Sequence, residues 1–335
     1  LHYFTGSQSH NVHLRGLAKR EQLKINEYGI FSGDKKIGGE EENDIYSALH
    51  MDWIPPELRE DRGEIEAARN HTLPSLLTSS DIKGDLHVHS TYSDGAHSLE
   101  ELALRAKAMG YQYIAITDHS QSLKIAHGLS TQRLKEKIRE GKRLQKTLYG
   151  IELLIGAEVD IKNDGPLDYP DDLLKELDIV IGAIHSGFKQ KREQITKRIV
   201  TAMHNPYLHI IAHPTGRLLG ERDPYDVDID QVIQAAGKTG TALEINSYTQ
   251  RLDLDDINSL KAKQNGVMVA IGTDAHQLDQ LPADGQTEAR SPEPAGDARI
   301  RLNERIENGG FLVRGYAYTR VRDVDGIWGT TCCFL

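Results

Sequence analysis

GDLHVHSTYSD, residues 84–94, is a short apolar run that carries two histidines and then breaks into a turn-forming stretch ending in an aspartate. On a strand, His87 and His89 stand at i and i+2 and point to the same side. Two imidazoles converging from one strand make half of a site for Zn²⁺ or Mn²⁺. Taken alone, the pair reads more readily as two surface histidines, and Asp94 as an ordinary turn aspartate. The pattern recurs along the chain, however. YIAITDHS (113–120) ends on His119, IVIGAIHS (179–186) on His185 and HIIAHP (209–214) on His213. GTDAH (272–276) repeats the i, i+2 spacing with Asp274 and His276. In IGAEVDI (155–161), Glu158 interrupts an apolar run, where an unpaired carboxylate would cost several kcal/mol to bury. A metal ion is the economical partner.

The runs that carry these residues are strand candidates: Asp85 to His89, Tyr113 to Thr117, Leu153 to Val159, Ile179 to Ile184, Ile210 to Ala212, Ala242 to Ile245 and Met268 to Ile271. They are rich in Ile and Val and apolar on both faces. Amphipathic stretches separate them, among them Ser98 to Met109, Thr131 to Tyr149 and Gln194 to His204. The first of these opens with a capping-box pattern, Ser98 with Glu101 three residues on. Apolar strands alternating with helices indicate a parallel sheet, and seven such units suggest a closed β/α barrel. In a barrel the first and last strands are neighbours, which would bring His87 and His89 beside Asp274 and His276. Ligands at successive strand ends are how barrels build metal sites. At roughly four or five ligands per ion, nine side chains suit about two or three divalent ions. Such a cluster polarises a phosphoryl oxygen and lowers the pKa of water, so phosphoester hydrolysis is the reaction class it fits. Arg217 in HPTGRLLG is a candidate phosphate clamp and reads equally as a solvated surface arginine. Asp118 is a candidate to orient a ligand histidine from behind.

Composition bounds the rest. The chain has 335 residues, is 38% hydrophobic and carries a formal net charge of −10, which argues against nucleic-acid binding by bulk field though not at a cation-bearing site. No run of 18 apolar residues and no signal-peptide pattern is visible. The two cysteines, Cys332 and Cys333, are adjacent, which argues against a disulfide framework or cysteine zinc site and fits a reducing compartment. A cytoplasmic, monomeric protein without membrane contact is expected. The chain does not begin with Met, and a fragment is the expectation.

Ahead of the barrel, residues 1–70 read as a separate α+β unit and 71–83 as a linker, with linker-like composition already from Gly63. Asn11 to Glu21 reads as a helix, KINEYGIFSG (24–33) as a strand ending in a turn, and residues 33–39 as a hairpin tip. Tyr3 and Phe4 read as core aromatics.

HVHSTYSDG, ITDHS, GAEVDI, AIHS, AHPTGR and GTDAH together resemble the successive motifs of the PHP (polymerase and histidinol phosphatase) domain, from about Gly84 to His276. YFTGSQSHNVHLR, KINEYGIF and DWIPPELREDRGEIEAA resemble the end of a family X DNA polymerase core. HPTGRLLGERDPY and LEINSYTQRLDL likewise resemble the bacterial and archaeal polymerases of that family with an appended PHP domain. The resemblance implies an α/β fold, a distorted (β/α)7 barrel of PHP type, preceded by a small α+β fragment of the polymerase core. It implies that His87, His89, Glu158 and Asp274 hold one ion, that Glu158, His185 and His213 hold a second, and that Asp94, His119 and His276 hold a third. Mn²⁺ or Zn²⁺ is expected, with Fe²⁺ as a further candidate. Glu158, Asp274, His213 and Arg217 are the expected catalytic residues. In the front unit Tyr3, Phe4 and Gly6 match the segment bordering the incoming nucleotide's sugar, and Asn11 and Arg15 match positions near the nascent base pair and template.

On this reading the polymerase palm with its catalytic carboxylates lies outside the chain. Residues 84–281 form the PHP metallohydrolase domain, and 282–335 form a tail that departs from the family pattern where the closing segment of the barrel is expected. The expected function is a metal-dependent 3′-5′ DNA phosphodiesterase that trims gapped or single-stranded 3′ ends in base-excision repair. The competing readings are a small-molecule phosphatase of the histidinol-phosphate type and a metal-stabilised, non-catalytic polymerase module.

Overall fold

The computed structural model describes residues 2–280 and, as backbone, strands Tyr316–Arg322 and Trp328–Phe334. The chain divides into two compact units, one formed from the residues up to Leu77 and the other from Thr78 onward.

In the first unit, helix Gln8–Arg20 starts where the Ser7 hydroxyl accepts from the amide of His10, the usual way a serine satisfies an orphan donor of the first turn. Three antiparallel strands follow: β1 (Leu23–Asn26), β2 (Gly29–Ser32) and β3 (Lys35–Gly38). The expected single strand over 24–33 is in fact two. The Asn26 side chain accepts from the amide of Tyr28 and turns the chain, and Gly29 then sits at φ +137° against the carbonyl of Gly38, where no side chain fits. The stretch after Gly63 differs from its linker-like reading, because Glu64–Arg69 is a helix. Its Ile65 and Ala68 pack with Leu14, Leu17, Tyr46, Leu49 and Ile54 in the core of this unit.

The second unit holds seven parallel strands hydrogen-bonded in chain order: β4 (Gly84–Val88), β5 (Tyr113–Ile116), β6 (Glu152–Asp160), β7 (Ile179–Ala183), β8 (Ile210–Ile211), β9 (Ala242–Asn246) and β10 (Val269–Gly272). The two edges of this sheet meet. The amide of His89 donates to the carbonyl of Ala275 at 2.8 Å, and that of Ala96 donates to His276 at 2.8 Å. Asp85 completes the junction by accepting from the amide and hydroxyl of Thr273 and the amide of His87. The result is a nearly closed barrel, as expected. Tyr113, Leu154, Ile179, Ile181 and Ile210, with small alanines between them, make a core cluster of this unit. Helices Leu99–Ala108, Thr131–Leu144 and Arg192–Met203 lie where amphipathic stretches were read, and Ser98 and Glu101 form their capping box. Two more, Ile229–Thr239 and Asp256–Gln264, were not picked out from the sequence. Of the off-pattern stretch 282–335, only two antiparallel strands, β11 (Tyr316–Arg322) and β12 (Trp328–Phe334), are described; the rest lies outside the described residues.

Helix 131–144 approaches β6 closely because position 141 is glycine. A Cβ there would come within 2.3 Å of the Ile155 side chain. Gly141→Ala is therefore expected to destabilise the protein by about 1–3 kcal/mol through overpacking, although alanine is the better helix former by about 1 kcal/mol. Thermal unfolding of the two proteins measures this; a higher midpoint in the variant would contradict the packing described.

Candidate metal centre

The C-terminal ends of the barrel strands converge on Glu158, whose carboxylate is fully buried on β6. Its Oε1 lies 2.9 Å from His213 Nε2 and 3.2 Å from His185 Nε2. Its Oε2 lies 2.7 Å from His119 Nδ1, 3.5 Å from His87 Nε2 and 3.7 Å from His89 Nε2. Asp274 faces the same space, with Oδ1 3.1 Å from His89 Nε2 and 3.5 Å from His87 Nε2. Asp94 sits at the outer side, 3.4 Å from His276, 3.6 Å from His119 and 3.8 Å from His89. All nine residues read from the sequence are thus brought together.

Three overlapping groups have donor atoms within 4.8 Å of one another: His87, His89, Glu158 and Asp274; His119, Glu158 and His185; and His89, Asp94, His119 and His276. The first coincides with the set implied by the resemblance. The second has His119 where His213 was expected, although His213 also touches Glu158. The third adds His89.

The donor set fits divalent cations. Among the described residues, the buried nitrogens His87 Nε2, His89 Nδ1 and His119 Nδ1 have no hydrogen-bond partner, nor has Glu158 Oε2. His119 and Glu158 face each other at 2.7 Å without hydrogen-bond geometry. Orphaned buried polar atoms are rare and call for a specific explanation, and cations shared among these atoms provide one. The electrostatics agree. Burial would raise the Glu158 carboxyl, but His185, His119 and His87 around it hold it well below the usual range. Burial opposes charge on His185, yet Glu158 and Asp160 push its pKa up to about 10. Burial likewise disfavours charge on His87, which Glu244, Asp274 and Glu158 nonetheless raise well above its ordinary value. His89, by contrast, is lowered to about 4 by burial and by neighbouring His119. Without a metal, the carboxylates thus favour the charged forms of His87 and His185, and metal binding, which needs neutral imidazoles, would release protons.

Several residues that orient the ligands were not singled out in the sequence. Glu244 on β9 accepts from His87 Nδ1 at 2.6 Å with one oxygen, and from the amide of His213 at 2.7 Å and Asn246 Nδ2 at 3.1 Å with the other. It therefore ties ligands from two strands to one carboxylate. Asp160 does the same for His185 Nδ1 at 3.1 Å. His213 and Asp274 adopt positive φ, 28° and 54°, a backbone strain of about 1–3 kcal/mol each that is common where function fixes the geometry. Glu244 resembles Glu158 in interrupting an apolar strand, and that signal could have found it.

The arginine reading changes. Arg217 donates to the carbonyls of Arg251 and Leu252, so its fork is engaged by backbone. Arg251 is the arginine among the described residues that reaches the cluster: its Nε donates to Asp274 Oδ2 at 3.0 Å, and its buried Nη1 has no hydrogen-bond partner among them. Asp118 does not orient a ligand ring but holds the Ser90–Ser93 turn.

In the first unit Tyr3 and Phe4 are exposed, not core. The Arg15 guanidinium lies 5.5 Å from the Tyr3 ring centre. Asn11 is buried, and its amide donates to the carbonyls of Tyr3, Gly6 and Ser7. A Cβ on Gly6 would press on Arg59, His10 and Asn11. Gly6 and Asn11 thus shape the turn that presents the two aromatics.

Residues 1–60 match the DNA polymerase beta thumb family, and residues 85–248 match the PHP domain family. The DNA polymerase/3′-5′ exonuclease PolX of Bacillus subtilis is 47% identical over 284 residues, covering 84% of this chain and 49% of that protein. This chain therefore spans about half the length of that relative. A probable phosphatase of Thermoanaerobacter sp. (strain X514) is 36% identical over 204 residues, covering 57% of this chain and 78% of that one. Among solved structures, a histidinol phosphate phosphatase from Lactococcus lactis subsp. lactis matches with a TM-score of 0.48 at 20% identity, covering 68% of this chain and 94% of that one.

Removing the Glu244 carboxylate frees the His87 ring and the His213 backbone together. Glu244→Ala is expected to weaken divalent-cation affinity about 10–100-fold, the usual effect of losing such a partner. Equilibrium dialysis against Mn²⁺ tests this, and unchanged affinity in folded variant would contradict it.

Proposed function

This chain belongs to the PHP domain family and carries that domain behind a DNA polymerase beta thumb, as family X DNA polymerases do; from that premise we propose that it is a metal-dependent phosphodiesterase acting on the 3′ ends of DNA. The observation that carries the metal-dependent part is that His87 Nε2 and His119 Nδ1 face Glu158 Oε2, all three buried and without a hydrogen-bond partner among the described residues. The thumb unit supports DNA as the substrate. The finer reading is 3′-5′ removal of nucleotides from gapped or single-stranded ends during base-excision repair. No helix among the described residues is long and apolar enough to cross a membrane.

His87, His89, Glu158 and Asp274 would hold one ion, Glu158 with His185, His213 and His119 a second, and Asp94, His119, His276 and His89 a third. Mn²⁺ and Zn²⁺ suit this mixed imidazole and carboxylate set, as does Fe²⁺. When bound, such ions would polarise a phosphoryl oxygen and lower the pKa of water toward neutrality, so that hydroxide is available to attack phosphorus and the chain need supply no side-chain nucleophile. Glu158, Asp274 and His213, all buried at the strand ends, are the ligands we assign to border the reacting phosphate. Arg251 is placed to donate to a phosphate oxygen through its free Nη1. Arg217 holds the loop that aims Arg251, which makes it a positioning residue. In the thumb unit, Tyr3 and Phe4 offer exposed rings to a nucleotide, and Arg15 beside them offers a cation for the template backbone.

The second reading is a small-molecule phosphatase, favoured by the Thermoanaerobacter relative. The two separate in one assay with Mn²⁺, using a 5′-labelled single strand and histidinol phosphate as alternative substrates. We expect stepwise shortening of the strand by the wild type and a loss of at least about 100-fold in Asp274→Ala, the scale of removing a ligand or electrostatic partner from a catalytic site. Turnover of histidinol phosphate with an intact strand would reverse the assignment.

A further inference from the structure

Helix 131–144 carries Arg133, Lys137 and Glu140 at i, i+4 and i+7, one face of the helix. All three act on the turn that runs from Ser90 to Asp94. Lys137 is fully buried: its Nζ donates to the carbonyls of Ile116 and Gly156 at 2.9 Å each and lies 2.7 Å from Asp118 Oδ2. Asp118, also fully buried, accepts from the amides of Ser90 and Ser93 at 2.8 and 3.2 Å and from their hydroxyls at 2.8 and 2.7 Å. Glu140 accepts from the Tyr92 hydroxyl at 2.6 Å, and Arg133 donates to the Tyr92 carbonyl.

Stability is weak ground for retaining a buried ion pair. Removing an ammonium and a carboxylate from water costs several kcal/mol per ion, and neutral replacements of similar volume are often equally stable or more so. What the charged pair supplies is direction. The Asp118 carboxylate holds four donors of one turn, and the next residue along is Asp94. The Asp94 side chain is 27% exposed, whereas those of Glu158 and Asp274 are almost completely enclosed. It is the carboxylate of the set that packing restrains least.

We propose that Lys137 and Asp118 are positioning residues for Asp94: they lock Ser90–Ser93 so that the Asp94 carboxylate stays within reach of His89, His119 and His276. The outer ion is then the one whose retention depends on them. This rests on the metal reading above. The test measures Mn²⁺ binding by equilibrium dialysis, with thermal unfolding in parallel, on the full chain as wild type, Lys137→Met/Asp118→Asn, and Ser93→Ala. The double variant is expected to unfold within a few degrees of the wild type while its weakest-bound Mn²⁺ loses about 10–100-fold in affinity and the tighter ions stay unchanged. Ser93→Ala removes only one of the four bonds Asp118 accepts from this turn and should shift the same ion in the same direction by less. It decides the matter if the double variant does not fold. Wild-type binding of the weakest ion in both variants, or equal weakening of all ions, would overturn the assignment. A wild type that binds no Mn²⁺ would overturn the metal reading and this assignment with it.

Discussion

One buried carboxylate sets the terms for the rest of this barrel. Glu158 sits fully enclosed on β6 with five imidazoles within 3.7 Å of its two oxygens. An ionised carboxylate in such a place needs positive charge beside it, and His87 Nε2 and His119 Nδ1, which face it, need a partner that none of the described residues supplies by hydrogen bond. Both needs are met by cations. His213 and Asp274, which adopt strained backbone angles, bring their side chains to the space around it.

A second layer keeps the ligands aimed. Glu244 fixes a ring from β4 and a backbone amide just beyond β8, and Asp85 joins β4 to the segment after β10. Closure of the barrel and assembly of the site are therefore one event, since the bonds that seal the β4/β10 edge also seat His89 and His276. This fits the general logic of metal sites, in which outer partners fix ring orientation and tautomer.

Much of this was legible in the sequence, for a physical reason. A histidine or aspartate that ends an apolar strand has few stable roles apart from a site at the strand's end, so His119, His185 and His213 announced themselves, and the paired spacings of His87/His89 and Asp274/His276 gave the closure. What was not legible depends on three-dimensional competition for partners. Arg217 and Arg251 look alike in a loop sequence, and only the fold shows that backbone carbonyls engage the former while the latter reaches Asp274. Lys137 lies in a highly charged helix, KEKIREGKR, where it reads as a solvated lysine; the close approach of the helix to β6 at Gly141 buries it. In the front unit, Tyr3 and Phe4 read as core on hydrophobicity alone and are exposed, because the Asn11 amide holds the turn that carries them.

The account stands most directly on what Glu158 is for. Calorimetric titration of metal-stripped protein with Mn²⁺, wild type beside Glu158→Gln, tests it. The glutamine keeps the shape and removes the charge shared by the inner ligands. The account predicts that the wild type binds more than one ion with release of protons, and that the variant, still folded, loses the tight ions and the proton release together. Identical isotherms for the two proteins would contradict it.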